Sequence, residues 1–177
     1  RFERDDGQDE LYGSFKHLGE TLLGKDIAER EPAGVFAHQD WLLCAEHGVH
    51  GLLMPARYGG SGRDPADYVR AMEGLGHGCP DNGLLMSLGA HILAVQVPIW
   101  QFGDEDQRSR YLPELISGRL IGSNAMTEPE SGSDALALRT VAEPDGTGYR
   151  LTGSKCYVTN APVAGLFLVY ASVDPAR

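Results

Sequence analysis

The sequence predicts an α+β fold, with an all-α N-terminal helical domain over residues 1–120 and an incomplete antiparallel β-domain over residues 121–177. Two observations carry this prediction. Apolar residues recur at helical spacing up to the first boundary, and they alternate with polar residues after Gly122. In addition, the apolar run Leu166–Val173 is followed at once by the turn-like DPAR, although a sheet needs further strands to cover such a run. We therefore expect segregated helices and strands, in a chain that is incomplete as a folding unit.

Composition narrows the class of protein. The chain has 177 residues, of which 42% are hydrophobic and 23% charged, as is typical of a soluble globular protein. Its net charge of -10 repels nucleic acids and anionic membranes, so we expect neither as a partner. Three widely spaced cysteines and an N-terminus without an apolar core predict reduced thiols, no signal peptide and a cytoplasmic location.

The first clear helix is predicted in GRDPADYVRAMEGLGHG. Asp64 suits the N-cap, Pro65 suits the first turn, and the glycines near the end of the segment favour termination. The next segment, Gly83–Trp100, is long and apolar. Because His91, among other residues, interrupts its apolar character, we expect a buried core helix rather than a membrane span.

A further helix is predicted in FGDEDQRSRYLPELISGRLIG. Asp104 and Gln107 have the spacing of a capping box, and Pro113 is expected to kink or divide the helix. After it the period changes to two. Strands are predicted in residues 121–126, in LALRTVAE, in YRLTG continuing into SKCYVTN, and in LFLVYASV, with PDGTG as a turn.

Three possible sites are better explained without a ligand. His47 and His50 are three residues apart, but no further ligands accompany them, so we expect no metal. Cys156 lies in a strand-like segment and is expected to be a buried, inert thiol. RYGGSG lacks the P-loop pattern and follows helical sequence, so a loop between two helices is the better interpretation.

The segment AMTEPESGSD is harder to dismiss. It carries three acids and three hydroxyl side chains but no Lys or Arg, which fits either a solvated acidic turn or a ligand loop. A second segment with hydroxyl and aromatic groups, KCYVTNA, follows one hairpin later, so Thr127, Tyr157 and Thr159 can face one planar ligand. Hydroxyls and backbone N–H groups bind phosphate without a lysine, and this favours the ligand loop.

AMTEPESGSD also resembles the Thr-Glu-Pro…Gly-Ser-Asp signature of the acyl-CoA dehydrogenase family. MPARYGGSGRDPADYVRAMEGLG, FGDEDQRSRYLPELISGRLIG and YRLTGSKCYVTNAPVAGLFLVYASVDP resemble further family segments in the same order, along nearly the whole chain. The resemblance implies a helical domain, a β-domain and a C-terminal four-helix domain, with FAD between them. This chain matches the first domain and the early part of the second, and the C-terminal helical domain is absent from it.

The resemblance further implies which residues meet the cofactor. The positions that match flavin-contacting residues of the family are Asn124, Met126, Thr127, Gly132, Ser133, Tyr157, Val158 and Thr159. Of these, Gly132 and Ser133 match the turn at the flavin pyrophosphate, and Ser133 also matches a residue that contacts the acyl-CoA substrate. Thr159 matches a residue near flavin N5.

The implied reaction is α,β-dehydrogenation of an acyl thioester, in which a carboxylate removes the α-proton and the β-hydride passes to flavin. The resemblance places that carboxylate beyond Arg177 and gives Glu128 a structural role in the loop. This chain departs from the family at Tyr157, where Trp is usual, and at Glu130 and Ser131, which replace a Gly-Ala pair.

The resemblance also implies partners: an acyl-CoA or acyl-carrier-protein thioester, an electron-transfer flavoprotein or similar acceptor, and further copies of the chain in a dimer or tetramer. Two alternatives remain. One is a non-catalytic subunit of a heteromeric dehydrogenase, and the other is a flavin monooxygenase or oxidase on the same fold. Retention of the hydroxyls of Thr127, Ser133 and Thr159 favours an enzyme over a scaffold.

Overall fold

Helices come first and strands second, as the α+β prediction requires. The computed structural model describes residues 6–174. The helices are α1 (Asp6–Leu22), α2 (Ile27–Ala33), α3 (His38–Glu46), α4 (Pro65–Gly78), α5 (Asn82–His91), α6 (Val97–Phe102) and α7 (Glu105–Ile116), with a 3-10 turn at Ala56–Tyr58 and a π-helical segment at Ile92–Gln96. The strands are β1 (Gly122–Ala125), β2 (Val141–Asp145), β3 (Gly148–Thr152) and β4 (Leu166–Val169).

Helices α1 and α4 pack against each other with their backbones almost in contact. A methyl group added at Gly74 would lie 2.3 Å from the Tyr12 carbonyl oxygen, and one added at Gly78 would lie 2.1 Å from that of Lys16. No side chain fits at such a separation, so only glycine allows this approach. The N-terminus of α4 is fixed as predicted, because the Asp64 side chain accepts a hydrogen bond from the backbone N–H of Asp67 at 2.8 Å.

The predicted core helix is a continuous helical segment, Asn82–Phe102, that comprises α5, the π-helical segment and α6. By length and composition alone it is long and apolar enough to cross a membrane. Its inner side is buried in the hydrophobic core through Leu84, Leu88 and Ile92, as expected for a core helix.

Helix α7 begins with the predicted capping box, since Asp104 and Gln107 each accept the other's backbone N–H, at 2.8 and 3.0 Å. The helix continues past Pro113 to Ile116, so the proline does not divide it.

His91 joins the end of α7 to the start of β1. Its Nδ1 accepts the backbone N–H of Gly122 at 3.0 Å, so its Nε2 carries the proton and donates to the Leu115 carbonyl at 3.0 Å. Its neighbour His50 is fully buried, and neither of its ring nitrogens has a hydrogen-bond partner. Both rings pack on the fully buried Trp41, with ring centroids 4.3 Å (His50) and 4.8 Å (His91) from that of the indole.

The strands form two separate two-stranded sheets. β2 and β3 are antiparallel around the predicted turn, with Gly146 in the left-handed region at φ 63°. β1 and β4, by contrast, run parallel, with Gly122 opposite Leu166. The expectation of a wholly antiparallel β-domain is therefore corrected for this pair. Residues 126–165 lie between the two strands, and a connection of that length allows a parallel return.

Three strand predictions extend too far. Residues 136–140 of LALRTVAE are not a strand, because pairing begins only at Val141. Residues 154–160 are also irregular, since Tyr157 and Asn160 adopt left-handed backbone angles that interrupt any strand. β4 ends at Val169, with only a single bridge further on, between Val141 and Ser172.

Candidate functional site

Two irregular segments meet at the carboxyl end of β1. The first is the loop Thr127–Asp134, and the second is residues 154–160, which follow β3. The backbone N–H of Cys156 donates to the Thr127 carbonyl at 2.9 Å, and the Ser123 hydroxyl donates to the Thr159 carbonyl at 2.5 Å. The structure thus brings together the two parts of the chain that the sequence suggested could share a ligand.

Glu128 holds the first segment in place from inside. Its buried carboxylate accepts hydrogen bonds from Lys155 Nζ at 2.8 Å and from the backbone N–H groups of Arg139 and Thr140 at 2.6 and 2.9 Å. Lys155 and the N–H donors lower the pKa of Glu128 to about 2, because all of them favour the charged carboxylate. Glu128 is therefore ionised at neutral pH and braces the loop, as its place in the motif implied.

The loop lacks a lysine of its own, yet it has one from the second segment. Lys155 Nζ also donates to the Met126 carbonyl at 2.9 Å, and its side chain is only 11% exposed. Sequence reasoning missed this residue, although the Lys in GSKCYVTN is a visible signal for it. Because Lys155 is paired with Glu128, the charge of the ammonium group is balanced locally and is not offered to a ligand.

The rest of the loop is a tight turn that presents its tip to solvent. Glu128 and Ser131 exchange backbone hydrogen bonds of 2.9 and 3.2 Å, and the Ser131 hydroxyl donates to the Asp134 carbonyl at 2.5 Å. Ser131 therefore stabilises the turn. Gly132 and Ser133 are exposed at the tip.

Tyr157 stands out from the second segment. Its side chain is 92% exposed, and its backbone is held in the left-handed region at φ 53°. Thr127, Val158 and Thr159 are half-buried nearby in the two segments. A large aromatic ring kept in solvent on an unfavourable backbone conformation is typical of a functional surface.

Asn124 is half-buried, and its side chain faces the helical domain. The amide nitrogen donates to the Ala94 carbonyl at 2.8 Å, within the π-helical segment. Met126 is half-buried at the end of β1. One of the two amide hydrogens of Asn124 is therefore engaged, which leaves the other hydrogen and the side-chain carbonyl oxygen for a ligand.

A cavity of about 430 Å³ lies elsewhere, between α6, the start of α7 and β4. Its lining includes Ile99, Phe102, Phe167 and Tyr170. None of the predicted site residues lines it, so we do not assign it to the same site.

The remaining candidates do not assemble into a site. His47 is exposed at the end of α3 whereas His50 is buried, so the two histidines do not act together. Within residues 6–174, no three His, Cys, Asp or Glu side chains gather as metal ligands would.

Cys156 is half-buried outside any strand, which corrects the expectation of a buried strand thiol. RYGGSG begins within the 3-10 turn and continues as a loop towards α4, which agrees with the predicted loop between helices.

Known proteins are similar in sequence to this chain over most of its length. The profile described as "Acyl-CoA dehydrogenase, N-terminal domain" matches residues 5–119, and "Acyl-CoA dehydrogenase, middle domain" matches residues 123–177. The L-prolyl-[peptidyl-carrier protein] dehydrogenase of Pseudomonas fluorescens is 42% identical over 146 residues, which are 82% of this chain and 38% of the relative. The short-chain specific acyl-CoA dehydrogenase of Megasphaera elsdenii is 34% identical over 183 residues, covering 99% of this chain and 46% of the relative.

Solved structures share the fold as well. The prolyl acyl carrier protein oxidase AnaB superposes with a TM-score of 0.92 at 40% identity, over 98% of this chain and 46% of that one. The structure described as "PigA with FAD and proline" superposes with a TM-score of 0.94 at 33% identity, over 100% of this chain and 46% of that one. This chain therefore spans less than half the length of these relatives. Since the two family profiles together cover almost all of it, the chain belongs to the acyl-CoA dehydrogenase family.

Proposed function

We propose that the protein containing this chain is an FAD-dependent enzyme that carries out α,β-dehydrogenation of an acyl thioester. The observation that carries the proposal is the junction of the loop Thr127–Asp134 with residues 154–160, where hydroxyls, backbone donors and an exposed aromatic ring share one surface. When bound, FAD supplies the redox chemistry by accepting a hydride. Residues 1–120 would form the helical domain, and residues 121–177 would form part of the β-domain.

The residues present fit a flavin. The exposed ring of Tyr157 can cover a planar ligand, with less contact area than a Trp would give. We assign the flavin-ring contacts to one group of positions: Asn124, Met126, Thr127, Tyr157, Val158 and Thr159. We assign the pyrophosphate to the exposed turn at Gly132 and Ser133, whose neutral hydroxyl and backbone donors suit phosphate oxygens. Ser133 would also contact the acyl thioester.

This part of the chain supplies alignment rather than proton abstraction. Glu128 follows Thr127 directly in the loop, but its carboxylate is engaged by Lys155 and two backbone N–H groups, and its pKa is about 2. A base with so low a pKa has little tendency to take up the α-proton of a thioester at neutral pH. We therefore propose that the catalytic carboxylate lies in the part of the protein beyond Arg177.

For the substrate, we propose a thioester carried by CoA or by a carrier protein. Relatives named L-prolyl-[peptidyl-carrier protein] dehydrogenase, 42% and 34% identical, favour a carrier-bound amino-acyl group. The similarity to the short-chain specific acyl-CoA dehydrogenase supports a CoA thioester as the other possible substrate. Electrons would leave to an electron-transfer flavoprotein or a similar acceptor, from a cytoplasmic homo-oligomer.

A second candidate is an oxidase that uses the same surface. The 40% identity to a protein described as a prolyl acyl carrier protein oxidase favours it. The two candidates differ in how the reduced flavin is reoxidised, and this can be measured directly.

Anaerobic titration of the complete, FAD-loaded protein tests the proposal. Butyryl-CoA, isovaleryl-CoA and prolyl-loaded carrier protein are added in turn, with unloaded carrier protein as the control. We expect at least one thioester to bleach the flavin absorbance. The proposal fails if dithionite bleaches the flavin but no thioester does. Protein that stays colourless with added FAD would favour a non-catalytic subunit, and rapid reoxidation by air in the presence of product would favour the oxidase.

A further inference from the structure

Asn160 connects three parts of the molecule at the end of the second segment. It is 8% exposed, and its side-chain nitrogen lies 3.2 Å from both the Ser87 carbonyl of α5 and the Gly122 carbonyl of β1. Both neighbours are acceptors, so the amide NH₂ donates to each of them. One side chain thus links the helical part, β1 and the segment that carries Tyr157.

The backbone at Asn160 explains why this residue type is needed. Its φ of 70° lies in the left-handed region, which glycine adopts freely and asparagine tolerates better than most residues. Glycine would suit the backbone but has no amide to donate. Asparagine meets both requirements.

The link acts on residues that precede it directly. The Ala161 N–H donates to the Val158 carbonyl at 3.1 Å and the Val163 N–H to the Asn160 carbonyl at 3.0 Å, so the chain turns tightly here. On the other side, the Ser123 hydroxyl holds the Thr159 carbonyl. The segment from Tyr157 to Thr159 is therefore held to β1 at two points, the side chains of Asn160 and Ser123.

We propose that Asn160 is a positioning residue for the flavin: it fixes residues 157–159 against β1 and α5, so that the two flavin-facing segments keep one relative geometry. The inference rests on the proposed function, because it assigns the purpose of the link to cofactor binding. Asn160 itself need not touch the cofactor. Its side chain faces carbonyl groups of the protein interior, so loss of the link would act through the position of Tyr157 and Thr159.

The test compares Asn160→Gly with Asp64→Ala in the complete protein. Asn160→Gly suits the left-handed backbone and removes the side-chain link, whereas Asp64→Ala removes one N-cap hydrogen bond from α4, outside both segments. Three quantities are measured: amide hydrogen exchange of residues 157–159 without FAD, FAD affinity, and the visible spectrum of the bound flavin.

We expect Asn160→Gly to speed exchange at residues 157–159, to weaken FAD binding about tenfold and to shift the flavin spectrum, the affinity loss matching one or two neutral hydrogen bonds. Asp64→Ala should lower the melting temperature without these changes. Unchanged FAD affinity in Asn160→Gly, or an equal loss in Asp64→Ala, would overturn the inference. If the unmodified protein binds no FAD, the proposed function fails instead, and the exchange data alone decide whether Asn160 holds the segment.

Discussion

Lys155 Nζ lies 2.8 Å from Glu128 Oε1, and this ion pair joins the two irregular segments of the candidate site. The side chains of Lys155 and Glu128 are 11% and 2% exposed, so each charge depends on the other. The acidic loop owes its shape to a cation supplied from 27 residues further along the chain.

Breaking this pair should destabilise the fold. Lys155→Met would leave a buried carboxylate without its cation, so we expect a larger fall in melting temperature than for Arg119→Met, which breaks the exposed pair with Glu114. The double variant Glu128→Gln with Lys155→Met should lose less than the sum of the two single changes. Additive losses would mean that the two side chains act independently.

Acid should also weaken the site through Glu128. Its folded pKa of about 2 lies below the ordinary 4.5, so its stabilising effect is complete above about pH 4.5 and is lost as the pH falls towards 2. Urea unfolding across this range should show a shallower pH dependence in Glu128→Gln than in the unmodified chain. Identical slopes would exclude Glu128 as a contributor.

The two buried histidines predict that the stability of the fold also depends on pH in a second, higher range. Burial lowers the pKa of His50 to about 3 and that of His91 to about 4, from an ordinary value of 6.5. Below pH 6.5 the unfolded chain binds protons that the folded chain does not, so stability should fall as the pH drops from 6.5 towards 4. His50→Leu should reduce this slope.

The same variant should be more stable at pH 7. Both ring nitrogens of His50 are buried without a hydrogen-bond partner, and leucine removes them from a site formed with Trp41 and His91. We expect the free energy of unfolding in urea to rise by about 1 kcal/mol. A decrease would indicate that a buried water satisfies the ring.

The packing of α1 against α4 predicts that alanine substitutions at two glycines change the free energy of unfolding in opposite directions. Gly74→Ala places a methyl group 2.3 Å from the Tyr12 carbonyl oxygen and should cost about 3 kcal/mol or more, because two backbones must separate. Gly13→Ala, in α1 with nothing within 4 Å of the added methyl, should instead stabilise by about 0.5–1 kcal/mol. Chemical denaturation of both variants checks the pair, and equal effects would contradict the close approach of α1 and α4.

Tyr157 should lower the stability of the flavin-free protein and strengthen FAD binding. Tyr157→Gly relieves a left-handed backbone and removes a side chain that is 92% exposed, so the flavin-free protein should gain about 1 kcal/mol. FAD affinity should fall about tenfold through loss of the aromatic contact. Tyr149→Ala, which truncates another exposed tyrosine on β3, should leave FAD affinity unchanged. If Tyr149→Ala also lowers FAD affinity, the effect of Tyr157→Gly comes from losing any exposed aromatic ring and not from the position of Tyr157.

Local features were predictable where one short stretch determines the structure. The caps at Asp64 and Asp104 and the turn at Gly146 all depend on neighbours within a few residues, and all are confirmed. The alternating pattern of YRLTGSKCYVTN was misleading beyond Thr152. Its alternation is that of a strand, but the tertiary hydrogen bonds of Asn160 favour a left-handed backbone there.

Features that depend on contacts between distant parts of the chain were harder to predict from the sequence. The parallel pairing of β1 with β4 depends on where the chain returns after residues 126–165, which periodicity does not encode. The partner of Glu128 could not be predicted for the same reason, because Lys155 is 27 residues away in sequence and the β2–β3 hairpin lies between them. The two segments of the site were nevertheless identified, since their residue types mark them independently of their geometry.

The cluster of Trp41 with His50 and His91 gives the protein an optical reporter of its own. The chain has two tryptophans, and only one of them, Trp41, is fully buried with two imidazoles against its indole and its Nε1–H on the Gly118 carbonyl at 3.1 Å. That carbonyl lies in the passage from α7 to β1. Separation of the strands from the helices would change the surroundings of Trp41, and its fluorescence would report this without any added label.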